Sequence, residues 1–140
     1  MSQTPPDYGA PIRLETAKKV MAAAEAEARK IGVNVVITII DSGGHMVHML
    51  RMDGSPLGSI AIAEGKATTS LKLKRATKLL QDMIAAGGEH LRLLSAPGIV
   101  VMEGGELLVA GNDIVGAIGV SGATSPQDAQ IGRAGGAVLA

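Results

Sequence analysis

Residues 114–122 read Ile-Val-Gly-Ala-Ile-Gly-Val-Ser-Gly, and residues 123–128 continue Ala-Thr-Ser-Pro-Gln-Asp. The apolar, β-branched run reads as a strand that passes through the core. A helix start follows at once, with Ser125 as N-cap, Pro126 at the first helical position, and Gln127 and Asp128 in the first turn. Gly116, Gly119 and Gly122 are costly in an ordinary strand, because glycine loses the most backbone entropy on ordering. Their presence marks a strand against which something packs closely: a helix, a partner subunit or a ligand. Neither nucleotide motif is met here. No P-loop lysine follows, and the three glycines miss the GxGxxG spacing.

Upstream of this strand, 99–102, 106–110 and 113–120 read as short strands separated by Gly104-Gly105 and Gly111-Asn112. In the first half, 12–31 carries a helical apolar stripe through Ala17, Val20, Met21, Ala24, Ala28 and Ile31, and Gly32 stands where a C-terminal cap belongs. Residues 33–40 are β-branched on both faces, and Asp41-Ser42-Gly43-Gly44 turns that strand into a second one at 45–52. On the second strand, alternation places His45, Val47, Met49 and Arg51 on one face and Met46, His48, Leu50 and Met52 on the other. Asp53-Gly54-Ser55-Pro56 breaks the strand. Helical patterns at 57–76 and 77–86 and a short turn at 89–94 come next, and a closing helix spans 126–139. Hairpins segregated from their flanking helices predict an α+β fold with a mainly antiparallel sheet. Residues 1–11 hold three of the six prolines and read as a flexible or partner-contacting arm; 12–140 form one domain.

Composition narrows the function classes. Hydrophobic residues make up 46% of the chain but aromatics only 1%, so the core is aliphatic and stacking platforms for nucleic acid are missing. Thirteen basic and thirteen acidic residues cancel, so no polyanion-binding field is expected. The absence of cysteine excludes disulfides, thiolate metal sites and a cysteine nucleophile. No metal triad is evident. There is no signal-peptide pattern and no apolar run near the roughly 18 residues of a membrane span, so a cytoplasmic protein without membrane attachment is expected. Small domains bury a limited share of their surface, and self-association fits that.

Several motifs occur together. Asp41-Ser-Gly-Gly44, Arg51-Met-Asp-Gly54, residues 62–67 (Ile-Ala-Glu-Gly-Lys-Ala), Gly104-Gly105, and 116–122 with Asp128 come in the order seen in the GlcG/HbpS-like family, also found as the C-terminal domain of PduO. The resemblance covers roughly residues 12–139. It implies a profilin-like α+β domain with a central antiparallel five-stranded sheet flanked by helices. It also implies homo-oligomers from dimer to octamer, and members that bind haem or are credited with cobalamin binding. It fixes fold better than function.

The residues offer two site readings. In the first, Arg51, Lys66, Ser121 and Gly122 bind a small anionic carboxylate metabolite, and Asp53 or Lys66 moves protons if the protein is an enzyme; no cofactor is required. The competing reading of Arg51, Asp53 and Lys66 is a salt-bridge network between strand and helix. In the second, the protein stores or senses haem or a corrinoid. His48, His45 and Thr69 are the candidate ligand contacts, within the unusual run His45-Met-Val-His-Met-Leu-Arg-Met52 and the hydroxyls after Lys66. A structural role in an enzyme complex is the third reading. Asp41 reads as a turn residue.

Overall fold

The computed structural model describes residues 4–140. Its elements are β1 (Asp7–Tyr8), α1 (Leu14–Ile31), β2 (Val36–Asp41), β3 (Met46–Arg51), α2 (Ser59–Leu73), α3 (Thr77–Ala86), a 3-10 segment (Gly88–Ser95), β4 (Gly105–Ala110), β5 (Asp113–Ser121), α4 (Ser125–Gly136) and a terminal 3-10 turn (Ala137–Leu139). The strand singled out in the sequence, β5, is the hub of the sheet. It pairs antiparallel with β2 along one edge and with β4 along the other, and β3 hangs on β2. The α+β architecture and the five-stranded, mainly antiparallel sheet are as expected.

The fifth strand is not the expected one. Residues 99–102 form no ladder. Val100 N–H donates to Thr69 Oγ1 at 2.8 Å, and the Val100 side chain lies against Gly65, so this segment straps over α2. The place is taken by Asp7–Tyr8 in the proline-rich arm, which runs parallel to Asp113–Ile114. Gly9 N–H to Ile114 O (2.8 Å) and Ile12 N–H to Val115 O (2.9 Å) extend the attachment. A two-residue strand carries no periodicity, so sequence patterning could not reveal it.

Helix ends follow the local chemistry. Gly32 closes α1 in the left-handed region (φ 75°), and its N–H reaches Ala28 O and Arg29 O. The cap of α4 lies one residue before the expected Ser125. Thr124 accepts from Gln127 N–H and the Gln127 side chain returns to Thr124 N–H, a complete capping box that serine one position later would not form.

Helices cover both faces of the sheet. On one face α1 and α4 bury Val20, Ala24, Val35, Ile37, Ile39, Leu108, Ile118, Val120 and Ile131 in one aliphatic core. On the other, α2 lies along β5, β4 and β2, and a smaller cluster forms from Ile40, Ala67, Leu71, Ile114 and Ala117. The glycine load of β5 has its cause here. A Cβ at Gly119 would strike Ala63 O and Ala67 N of α2, so backbone rests on backbone. A ligand is not needed to explain it.

A bulge at the β2–β3 pairing revises the expected faces of β3. Ile39 stands opposite His48 but Ile40 opposite Met46, so Met46 joins Met49 on the α2 side rather than sharing a face with His48. Because α2 does not cover β3, Met46 and Met49 remain 49% and 37% exposed.

Gly119→Ala is expected to destabilise the fold by at least about 2 kcal/mol in urea unfolding, since neither backbone neighbour can yield. Gly58→Ala, with open space around it and φ −61°, is the matched control and should change stability by less than about 0.5 kcal/mol.

Candidate functional site

The α2–sheet interface is unusually polar. Lys66 projects from the middle of α2 and is 1% exposed. Its Nζ donates to Val120 O at 2.8 Å and to Asp128 Oδ2 at 3.0 Å. Gly104 makes room for it: a Cβ there would stand 2.7 Å from both Nζ and Val120 O. Asp128 lies in the first turn of α4, where the helix dipole favours a carboxylate, and its Oδ1 accepts from Ala123 N–H at 3.0 Å. Burial pushes the Asp128 carboxyl above its ordinary value, while the Lys66 charge and the Ala123 N–H pull the other way. Around this pair, Ser121 Oγ donates to Ser59 Oγ (3.1 Å) and Thr77 Oγ1 accepts from Gly105 N–H (2.8 Å).

The trio Arg51, Asp53 and Lys66 is therefore not assembled. Arg51, at the end of β3, and Asp53, in the turn beyond it, are exposed, and among the described residues neither forms an ion pair. Lys66 directs its charge inward to Asp128. Arg51 and Ser121 do share a row and a face, because both stand opposite Val36. Two strand spacings, roughly 10 Å, and the buried Val36 separate them. Gly122 (φ 137°) packs on Asn34 O and Val35 Cα, so backbone closes that turn. Among the haem contacts, Thr69 is buried and engaged by Val100, His48 is half-buried opposite Ile39, and His45 is exposed. Sequence reasoning misses the partner of Lys66: Asp128 is 62 residues away, and spacing carries no signal of the pairing.

A cleft of about 320 Å³ opens elsewhere, between the N-terminal arm, the β2–β3 turn and the C-terminal half of α2. Tyr8, Ser42, Gly43, Gly44, Thr68, Leu71 and Lys72 line it. Tyr8, the sole aromatic residue, donates its hydroxyl to Leu71 O at 2.7 Å, and Lys74 Nζ lies 4.7 Å from its ring centroid. Ser42 Oγ donates to Gly9 O at 2.8 Å and ties the turn to the arm. Asp41 organises the turn as expected: its Oδ1 accepts from Gly43 N–H (2.9 Å) and His45 N–H (3.0 Å). The same oxygen lies 3.5 Å from His45 Nδ1, and the ring stands beside Gly43 at the cleft rim. The rest of the His45 side chain is exposed to solvent.

A second cleft of about 320 Å³ lies between β4 and α4, where Arg133 Nη1 stands 3.6 Å from Glu106 Oε1. Burial raises the Glu106 carboxyl above its ordinary value, against the pull of Arg133.

Asp128→Asn should cost about 3–5 kcal/mol in chemical denaturation, because it leaves the buried Lys66 charge without its counter-ion; the double variant K66M/D128L should recover most of that loss. A carboxyl whose folded pKa is raised binds its proton more tightly when folded. Its contribution is greatest below the unfolded value and is lost as pH rises through the folded value. Glu106→Gln is thus expected to flatten the decline in stability as pH rises above 4.5, read from denaturation midpoints across pH.

Comparison with known proteins gives a consistent result. A family model described as "Haem degrading protein HbpS-like" matches residues 12–137. Protein GlcG of Escherichia coli K12 is 37% identical over 107 residues, 76% of this chain and 78% of that protein. A 15.0 kDa protein of the dhaT-dhaS intergenic region of Citrobacter freundii is 37% identical over 121 residues, 85% of each chain. Corrinoid adenosyltransferase PduO of Salmonella typhimurium is 32% identical over 79% of this chain but only 34% of its own length. Among solved structures, a double mutant of Streptomyces reticuli HbpS superposes with a TM-score of 0.85 at 32% identity, covering 100% of this chain and 91% of that one. A PduOC:heme complex does so with a TM-score of 0.83 at 26% identity, over 93% and 96%. Among the described residues no helix is long and apolar enough to cross a membrane. With the shared fold and residues 12–137 matched, this chain belongs to the HbpS-like family.

Proposed function

We propose that this protein binds haem at the cleft between the arm, the β2–β3 turn and α2, with His45 as the axial ligand. The observation that carries this reading is the Asp41–His45 arrangement at the cleft rim. The Asp41 carboxylate stands beside Nδ1 of this exposed ring, and Nε2 is the nitrogen offered to iron. The surroundings suit an amphipathic macrocycle. Leu71 lines the wall, the exposed Met46 adjoins His45 on the α2 side of β3, and the Lys72 ammonium offers a partner for a propionate. Haem held there would meet the cleft lining and the uncovered face of β3 with Met46 and Met49. Bound haem would supply a redox-active iron; His45, beside Asp41, would hold it, and Lys72 would partner its carboxylates. Similarity to a heme complex of a related domain supports the same ligand class.

A free small carboxylate, the other reading, loses its main cation because Lys66 is paired with Asp128 inside the fold. The cationic recognition passes here to Lys72, which faces the carboxylates that haem itself carries.

Titration with hemin is expected to shift the Soret band. His45→Ala should weaken binding at least about tenfold and alter the band, the size of effect expected when an oriented metal ligand is lost. Lys72→Ala should weaken it less, and His48→Ala and His90→Ala should leave it unchanged. A Soret shift undiminished by His45→Ala would sink the assignment. Stabilisation by cobalamin in place of hemin in a thermal-shift titration would redirect it to a corrinoid.

A further inference from the structure

The cleft of about 320 Å³ between β4 and α4 takes part neither in the Lys66–Asp128 pair nor in the proposed haem contact. Leu107 and Val109 of β4, Gly132 and Gly136 of α4, and Ala76 ahead of α3 line it. Two charged side chains meet there. Glu106 stands opposite Ile118 in the sheet, and its side chain is only 14% exposed. Arg133 comes from α4 and is 59% exposed, with Nη1 3.6 Å from Glu106 Oε1. That separation is longer than a hydrogen bond, so the pair is loosely closed and most of the five guanidinium N–H donors are unspent. Burial holds the Glu106 carboxyl above its ordinary value in spite of Arg133, and Glu103 pushes the same way as burial. A desolvated acid beside a cation in a cleft is a combination that ligand sites favour.

The glycines of α4 are not alike. A Cβ at Gly132 would stand 3.2 Å from Glu106 Cγ, and one at Gly135 would stand 3.1 Å from Val20 O, so packing calls for both. At Gly136 a Cβ would meet nothing closer than Leu108 Cδ2 at 3.6 Å, an ordinary contact. Packing therefore leaves this position free to carry a side chain, and a helical glycine is unfavourable relative to alanine. Its bareness keeps the cleft open beside Arg133, three residues earlier and adjacent on the helix surface.

We propose that this cleft is a second ligand site, for a small monocarboxylate with an aliphatic body. The planar fork of Arg133 matches a carboxylate through two parallel N–H donors. Leu107, Val109 and Ala76 give the body of the ligand an apolar wall. Arg133 repels an ammonium ligand, and the neighbouring Glu106 disfavours a dianion such as phosphate more than a single negative charge. The site uses no residue of the His45 cleft, so it stands or falls independently of haem binding.

Titration of the isotope-labelled full chain with sodium butanoate at constant ionic strength, followed by NMR, tests it. The amide signals of Ala76, Gly132 and Gly136 are expected to shift and saturate. Acetate should bind about threefold or more weakly, because it lacks two methylenes of apolar contact. Arg133→Ala should weaken butanoate binding at least about tenfold, as when a charged hydrogen-bond donor is lost, with circular dichroism unchanged. Arg133→Lys keeps the charge but not the fork and should weaken it too. Glu106→Gln should tighten it about threefold or more, since a like charge beside the ligand is gone. Absence of saturable shifts at these amides would overturn the inference. So would binding undiminished by Arg133→Ala, binding weakened by Glu106→Gln, or inorganic phosphate outcompeting butanoate at the same amides.

Discussion

The buried pair between Lys66 and Asp128 is the joint on which the rest of the structure depends. A lysine ammonium inside an aliphatic core is tolerable only if every part of its charge is met. Val120 O and the Asp128 carboxylate meet it, and Asp128 in turn accepts from Ala123 N–H. One side chain from α2 thereby locks the end of β5 and the start of α4. The requirement propagates outward. Gly104 must be small beside the ammonium, Gly119 must let α2 descend onto the strand, and the capping box of Thr124 and Gln127 sets the direction in which Asp128 enters. The glycines, the lysine and the helix start that stand out in the sequence are parts of one packing solution.

That solution also decides where chemistry can occur. Residues that converge on Lys66 are sealed from solvent, so the polar α2–sheet interface holds the fold together. Solvent-accessible polarity lies instead at the C-terminal end of α2, where helix, arm and hairpin turn meet. There Asp41 serves two roles with one oxygen: it builds the turn through two backbone N–H groups and stands beside His45. A rigid turn is a good carrier for a ligand, because these backbone contacts fix where His45 leaves the chain. The uncovered face of β3 beside it, with Met46 and Met49, follows from the reach of α2, which covers β5, β4 and β2 only.

How much of this is legible in the sequence differs from element to element. The helix at Thr77–Ala86 and the cap at Gly32 follow from local chemistry alone and match in detail. The turn role of Asp41 follows the same way, since an aspartate before Ser-Gly-Gly has few other uses. The failures share a cause. Residues 99–102 have a strand-like composition, but their backbone donor goes to Thr69, a partner 31 positions earlier. Asp7–Tyr8 has no strand signal, but the start of β5, beyond the end of the β2 ladder, recruits it. Strict alternation assigns the β3 faces, and a bulge between Ile39 and Ile40 shifts the phase.

The sequence by itself determined the α+β class, the order of helices and hairpins, the family and the central importance of 114–122. Those depend on periodicity, turn chemistry and glycine placement, which act over a few residues. Only the tertiary structure decided which charges are spoken for. Lys66 and Arg51 look alike as cations in the chain, yet one is sealed against a carboxylate 62 residues away and the other faces solvent. Pairing of that kind depends on which backbone segments lie adjacent in space, and no local pattern encodes it.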